Sequence, residues 1–572
     1  MAIQPPKLHL NLYWHMHQPD YRDLKTGEYV LPWTYLHAIK DYSDMVFHLE
    51  QHPQARVSFN FVPILVEQLL DYTEQLKQNT IRDPLLALLI EPNLAGINQH
   101  QCRLIVDSCF KAHHEKMLSP FPHYQRLLNI YQQVESIMTD DYDFHYLSAQ
   151  YKADLLVWYH LAWCGESLRQ QSEVIKALMH KGVLFNLQDR QLLFEEIKNT
   201  IAGLIPRYKA LMQRRQIEMT TTPYYHPILP LLIDFTSTKD AMPDAPLPIN
   251  SHYPGGASRG KAHIEAAQHY HQDIFGQQAN GMWPAEGAVS HAGLSLMAEH
   301  GVKWAATGQG VLANSLIKSG ENVVDKHQYL YEPYRVTNGK DDILCFFRND
   351  HLSDKIGFEY SKMHSSDAVK DFIDNLENIR NNNPKKPKVV SVILDGENAW
   401  EYYPYNGFYF LKELYEALID HPDIIMSTFS DIIALQKSGH FPTIPVLPKI
   451  AAGSWVYGTF STWIGSADKN DAWDLLCEAK KVYDKVIHIL NAEKQLACER
   501  QLAICEGSDW FWWFGDYNAS DSVKSFDQLY RRNLINLYEL LEQSVPDNLH
   551  QAISEGGGGA ENAGTMRRGH DA

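Results

Sequence analysis

Eight short β-rich runs constrain this chain more than any other feature. They are residues 8–15 (LHLNLYWH), 57–62 (VSFNFV), 217–222 (IEMTTT), 282–283 (MW), 304–307 (WAAT), 343–348 (ILCFFR), 389–394 (VVSVIL) and 424–428 (IIMST), several of them separated by helix-length segments. Strand alternating with helix is the pattern of an α/β fold, whose parallel strands are covered on both faces and read as nearly continuous apolar runs. The residues just after the runs say more than the runs themselves: in turn HMHQP, PYYHP, PAEG, GQG, NDHLSD and DGENAWE, with Asn60 inside the second run. Polar groups gathered at the C-terminal ends of parallel strands mark the active face of a β/α barrel. A doubly wound nucleotide-binding sheet would show a dominant Gly-rich phosphate turn. Neither a GxGxxG after a strand nor a GxxxxGK[ST] occurs.

Two long stretches break the α/β pattern. Residues 84–213 carry helical periodicity almost throughout, for example Leu155, Trp158, Tyr159 and Ala162, and read as a helical insertion walling one side of a cleft. After residue 436, Pro442, Pro445 and Pro448 mark a crossing into a helical C-terminal domain, 437–550, that contributes to the cleft. It holds the aromatic run SDWFWWFGD at 508–516. Residues 551–572, with four consecutive glycines, read as a disordered tail. The catalytic barrel is thus expected over 1–436.

Composition narrows the partners. With 69 acidic and 51 basic side chains the net charge is −18, which disfavours nucleic acid and anionic membranes and suits a neutral substrate. The supply of aromatics, 13 Trp and 31 Tyr among them, suits stacking on sugar rings. The seven cysteines include no CxxC pair and read as reduced thiols. No signal-peptide pattern opens the chain and no apolar run is long enough to span a membrane, so the expectation is a cytoplasmic protein.

Glu286 follows Pro284 in GMWPAEG among small residues that leave a ligand room, and Asp395 ends the apolar run 389–394. Two carboxylates on one barrel face, each with its pKa raised by burial and by the other, are the minimum equipment for glycoside hydrolysis. The bland alternatives are a solvated loop residue for Glu286 and a helix cap for Asp395. His15 and His17 point to one side of an extended segment. They suit either hydrogen bonds to sugar hydroxyls or, with Asp20 or a distant carboxylate, a metal. His226, between Pro223 and Pro227, fits the first role. Arg348 and Asp350 read as a grip on sugar hydroxyls or as a brace for a catalytic carboxylate, and most of the 510–513 aromatics read as core.

His17-Gln18-Pro19, residues 218–232 (EMTTTPYYHPILPLL), GMWPAEG, ILDGEN and SDWFWWFGD resemble, in order, the five sequence regions of glycoside hydrolase family 57, across residues 8–541. The resemblance implies an incomplete (β/α)7 barrel with a helical C-terminal domain, acting on α-glucans with retention of configuration. Seven strands against eight runs marks one run as surplus. Matched position by position, Glu286 becomes the nucleophile and Asp395 the acid/base, with their carboxyls about 5–5.5 Å apart as retention requires. His15, His17 and His226 match positions that contact the sugar, and Trp283 and Trp510 match aromatic positions. Gln18, Trp513 and Asp516 lie inside the matched regions and join the expected substrate-binding set. The resemblance implies no cofactor and no metal. Within the family the second, third and fifth regions are most similar to the α-amylase and amylopullulanase branch. A 4-α-glucanotransferase or branching enzyme on the same scaffold, a non-catalytic glucan-binding protein and a metal-dependent deacetylase-like barrel stay open as alternatives.

Overall fold

The computed structural model describes residues 6–137, 144, 146–382 and 386–557. Nine strands occur among them: β1 (Leu8–Met16), β2 (Val57–Phe61), β3 (Ile217–Thr220), β4 (Gly281–Met282), β5 (Trp304–Gly308), β6 (Tyr334–Thr337), β7 (Asp342–Arg348), β8 (Lys388–Asp395) and β9 (Ile424–Met426). Seven run parallel in the order β3-β2-β1-β8-β7-β5-β4. A parallel bridge between Thr221 and Met282 joins the two ends and all but closes the ring. This is the expected (β/α)7 barrel. All eight β-rich runs are strands. The surplus one is β9, which pairs with Leu8–Leu10 of β1, while β2 takes residues 13–16. The sequence pattern does not reveal β6, an antiparallel strand on β7 whose alternating burial is that of a half-exposed edge.

β1, β2, β5 and β8 are buried almost end to end, which explains their unbroken apolar runs. The lumen is filled rather than open: Tyr13, Trp283, Trp304, Phe346, Val389 and Ile393 pack there with Phe429, the first residue of helix Phe429–Lys437. Trp304 and Phe429 lie 4.2 Å apart centroid to centroid. Thr428 starts that helix with a capping box to Asp431 and so aims Phe429 inward.

Between β2 and β3 the chain is helical, from Pro63–Gln78 to the 27-residue helix Leu187–Gln213. The boundaries reflect local chemistry: Asp83, Asn98 and Asn186 each cap a helix start, the last two through capping boxes. After β9 come Ala467–Val486, Ala492–Cys505, Asp509–Trp513 and Ser520–Leu540. No helix among the described residues is long and apolar enough to cross a membrane. The expected tail does not begin at 551: Ser554 is buried, accepting from the Gly515 N–H and donating to Asp468. Residues 558–572 lie outside the described residues.

One buried ionic cluster ties the C-terminal helices to the barrel. Glu506, fully buried, accepts from Arg259 Nε (2.7 Å), Arg259 Nη2 (2.8 Å), His263 Nε2 (2.7 Å) and Tyr253 Oη (2.6 Å). Burial alone would raise its pKa, but Arg259 and His263 outweigh burial and hold it below the usual carboxylate range. A depressed folded pKa contributes stability above the unfolded pKa and loses it as pH falls. Glu506→Gln therefore lowers the melting temperature at pH 7, on the order of the 3–5 kcal/mol that breaking a buried pair costs. The gap to wild type closes as melts are repeated at progressively lower pH; a gap independent of pH would contradict the assignment.

Candidate active site

Strand register sets the cleft. His15 stands opposite Asp395 across the β1–β8 pair and opposite Asn60 across β1–β2, and Asn60 stands opposite Thr220. Four neighbouring strands thus end at one level, and the cleft opens above them. Its walls include His15, His17, Gln18, Glu286, Arg348, Asp395, Glu397, Trp455, Asp509 and Trp513. Of the expected residues, the structure therefore brings His15, His17, Gln18, Glu286, Arg348, Asp395 and Trp513 together on one surface.

Glu286 sits in a short turn, Ala285–Gly287, after β4, with left-handed backbone (φ 59, ψ 24). Such a conformation costs a non-glycine residue energy and persists only where the surroundings impose it. Here they do. Residues 453–455 run antiparallel to this turn: Val289 and Gly453 exchange backbone bonds, and the Trp455 N–H donates to the Glu286 carbonyl at 3.2 Å. Trp455 Nε1 then donates to Glu286 Oε2 at 3.1 Å, and Ser508 Oγ lies 3.5 Å from Oε1. Space for this segment comes from glycine: a Cβ on Gly308 would meet Trp455 Cα at 2.7 Å.

Burial, then Asp395 and Asp509, push the Glu286 carboxyl up to about 8, against the two donors. Asp395 is pushed up to about 6 by burial, opposed by Asn398, which donates to Oδ2 at 2.9 Å, and by His17 and Arg348. Near neutral pH the pair carries one proton. A third carboxyl stands beside them. Glu397 is 2% exposed; its Oε1 accepts from the His17 N–H (3.1 Å) and Gln18 Nε2 (3.2 Å). Its Oε2 has no hydrogen-bond partner among the described residues. Burial, then Asp395, push the Glu397 carboxyl well above the ordinary carboxylate range, against the His17 N–H and Gln18.

The histidines form a stacked wall. Ring centroids are 5.2 Å apart for His15–His226 and 3.8 Å for His17–His226. His15 Nδ1 bonds Asn60 Oδ1 (2.7 Å); burial and His17 lower its pKa to about 3, so the ring is neutral. Thr222 Oγ1 also donates to Asn60 Oδ1, which assigns the proton to His15 Nδ1 and leaves Nε2 as an acceptor. His226, with φ 60, bonds Ser508 Oγ at 2.8 Å and is driven well below its ordinary pKa by burial and the other two rings. His17 Nε2 bonds Asp509 Oδ1 at 2.8 Å. His17, His226 and Asp509 bring ligand-capable atoms within 4.8 Å of one another. A metal held by two histidines needs in-plane lone pairs that converge. Rings stacked at 22° run theirs side by side, and Asp509 already occupies His17, so the set does not fit a metal.

His226 backs the site, buried behind His17 with its Nδ1 4.0 Å from Glu286 Oε1. The other four expected residues stand off the cleft. Trp283 belongs to the lumen, its ring 5.8 Å from His15, because strand geometry turns it inward. Asp350 faces Arg348 (2.7 Å), which is also held by Asp354 (2.7 Å) and the Ile393 carbonyl (2.8 Å); its carboxylate braces that guanidinium. Trp510 is core, donating to the Ile504 carbonyl and stacked on Tyr530, and Asp516 is exposed off the cleft. Conversely, Trp455, Glu397, Ser508 and Asp509 are site residues that the sequence pattern does not single out. Glu397 and Asp509 lie inside motifs that point to their neighbours, and Trp455 comes after a proline-marked stretch that reads as a linker.

A parallel seven-stranded barrel that gathers two carboxyls with raised pKa values and a stacked histidine wall at its strand ends has the equipment of a barrel glycosidase. The chain belongs to glycosyl hydrolase family 57, whose family model matches residues 11–445. Its fold is that of a family 57 branching enzyme from Thermococcus kodakaraensis (TM-score 0.57, 12% identity, 93% of this chain and 90% of that one). It is also that of an α-amylase from Thermotoga maritima (TM-score 0.55, 11% identity, 95% of both chains). A second branching enzyme, from Pyrococcus horikoshii, aligns at TM-score 0.54 and 14% identity over 93% and 88% of the two chains. Comparison with curated proteins finds no match.

Trp455→Phe keeps an aromatic ring and deletes the indole N–H, so the Glu286 carboxylate loses a donor and its proton is held to a pH above about 8. Difference infrared titration of the carboxyl stretch checks this, and an unchanged or lower midpoint would contradict the hydrogen bond.

Proposed function

We propose that the protein is a retaining α-glucan hydrolase of α-amylase or amylopullulanase type, with Glu286 as nucleophile and Asp395 as acid/base. One observation carries the assignment. Glu286 is met by donors near both oxygens, Trp455 and Ser508, which suits a carboxylate that attacks, whereas Asp395 takes, among the described residues, a single side-chain bond, from Asn398. In the free enzyme Glu286 holds the proton more firmly than Asp395. A glycosidic oxygen beside Asp395 accepts a hydrogen bond only when Asp395 is protonated, so substrate draws the shared proton across and leaves Glu286 ionised. Glu286 then attacks the anomeric carbon while Asp395 protonates the leaving oxygen. Water, giving its proton to Asp395, releases the sugar from Glu286. His15 Nε2, as an acceptor, and Glu397 Oε2, which has no hydrogen-bond partner among the described residues, are placed for sugar hydroxyls.

The family and its named neighbours, an α-amylase and branching enzymes, support the substrate class. The branching enzymes also support a second reading, transfer to another glucan in place of water, through the same two carboxyls. The stacked histidines weigh against the deacetylase-like alternative. Seven free, buried cysteines support a reducing compartment, the cytoplasm.

Maltoheptaose decides between the readings. Shorter sugars with rising reducing ends, lost by about 10³-fold or more in Glu286→Gln, are expected for hydrolysis. Longer and shorter oligomers at constant reducing ends would move the activity to transfer, and an active Glu286→Gln would refute the nucleophile. The pH profile of kcat/KM is expected to be a bell. Activity falls below about 6, where both carboxyls are protonated, and above about 8, where neither is. A profile flat across either limb would refute the shared proton.

A further inference from the structure

The loop that carries Asp395 continues, within ten residues, into a group of solvent-facing tyrosines that the cleft does not use. Tyr402, Tyr405 and Tyr409 are 36%, 58% and 42% exposed. Tyr405 and Tyr409 meet edge to face at 5.3 Å, and His113 of the helical insertion stands edge-on to Tyr402 at 5.0 Å. Gln170 Nε2 reaches the Tyr409 hydroxyl at 3.4 Å, and the part-exposed Glu401 immediately precedes Tyr402 in the chain.

The backbone under these rings is held against its own preference. Tyr405 (φ 53, ψ 36), Asn406 (φ 55, ψ 33) and Gly407 (φ 71) are three consecutive left-handed residues, a run that L side chains avoid. Buried groups from the second helix of the barrel impose it. Asn406 Nδ2 donates to Asp44 Oδ2 (3.1 Å), and its Oδ1 accepts from Lys40 Nζ (3.3 Å). Asp44 is itself fixed by the Glu166 and Ser167 N–H groups (2.9 Å each), and Lys40 by Asp41 (2.9 Å). From behind, Gly407 lies so close to Trp400 that a Cβ there would approach the ring to 2.6 Å, and Trp400 Nε1 is anchored on the Gly396 carbonyl, next to Asp395. A strained turn locked from beneath and ending in an outward ring is a way to present that ring at a set height and angle.

We infer that Tyr402, Tyr405 and Tyr409 form a second carbohydrate site, a platform on the rim that docks a stretch of a long α-glucan lying outside the catalytic cleft. The inference rests on the α-glucan reading above. Three features select a glucan chain over other occupants. Phenol rings offer both a flat apolar face and a hydroxyl, which matches the alternating C–H faces and hydroxyls of a sugar. The flanking groups, an amide and a carboxylate, are hydrogen-bonding rather than apolar. Trp400, two residues before Tyr402, bonds the carbonyl of Gly396 at 2.7 Å, which ties the platform to the residue next to the acid/base candidate.

The test is affinity electrophoresis in glycogen-containing gels, in a Glu286→Gln background that leaves the matrix undigested. The triple change Tyr402→Ala, Tyr405→Ala and Tyr409→Ala is expected to weaken glycogen retention about tenfold. In the otherwise wild-type enzyme the same triple variant is expected to raise KM for glycogen while changing kcat/KM for maltotriose by less than about twofold. Unchanged retention would overturn the platform. So would a concentration-dependent dimer, seen by sedimentation, that the triple variant abolishes, because the patch would then be a protein interface. An enzyme that cleaves maltoheptaose yet migrates unretarded overturns the platform and leaves the activity; one that does neither overturns both. Melting curves of the triple variant confirm that the exposed changes leave the fold intact.

Discussion

β1 is hydrogen-bonded along both edges, and that double pairing decides the height of every group in the cleft. Its register with β8 sets His15 level with Asp395, and its register with β2 sets His15 level with Asn60. A slip of one residue would turn His15 and His17 into the surrounding helices and send Trp14 and Met16 toward the cleft, since side chains alternate faces along a strand. The lumen resists the slip. Tyr13 packs there against Trp283, Trp304 and Phe429 and bonds Thr220 at 2.7 Å, so one strand carries both the core contact and the site.

What the barrel leaves unfinished, the C-terminal region completes. Ser508 and Asp509 supply partners to His226 and His17, and Trp455 supplies one to Glu286. These contacts seal the carboxyls from water, and loss of water is the largest cause of the upward shifts at Glu286, Asp395 and Glu397. Desolvated carboxyls and unpaired ring nitrogens oppose folding. The ionic cluster at Glu506 and the buried ammonium of Lys469, which holds the Phe511 carbonyl at 3.0 Å and the Tyr517 hydroxyl at 2.6 Å, anchor the segment that imposes this cost. Strain collects in the same place: Glu286 and His226 both take left-handed backbone within the site.

Much of this is legible in the chain, and the reason differs by feature. Strands buried on both faces are apolar on both faces, so β1, β2, β5 and β8 stand out as short runs; β9 stands out because its three residues are all apolar, although Ile425 is exposed. β6 does not, because an edge strand with one wet face has no such run. Glu286, Asp395, His15, His17 and Arg348 are legible because each stands within a few residues of a strand's C-terminal end, where a barrel must display them. Trp283 and Trp510 are misplaced by sequence for one reason: an aromatic beside a site residue is as readily core as platform, and only packing tells which.

The amino-acid sequence by itself determined the repeat of strand and helix, the two long helical departures from it, and the identity of the polar groups at each strand end. These are local properties, written in periodicity and in the residues that stop strands. Tertiary structure alone decided which groups meet. Trp455 lies 169 residues from Glu286, Ser508 lies 282 from His226, and Asp509 lies 492 from His17. No local pattern encodes a hydrogen bond across such distances; it arises from ring closure and from the docking of the last helices. The same closure decides protonation, because a carboxyl's pKa reports the water and charge around it rather than its place in the chain.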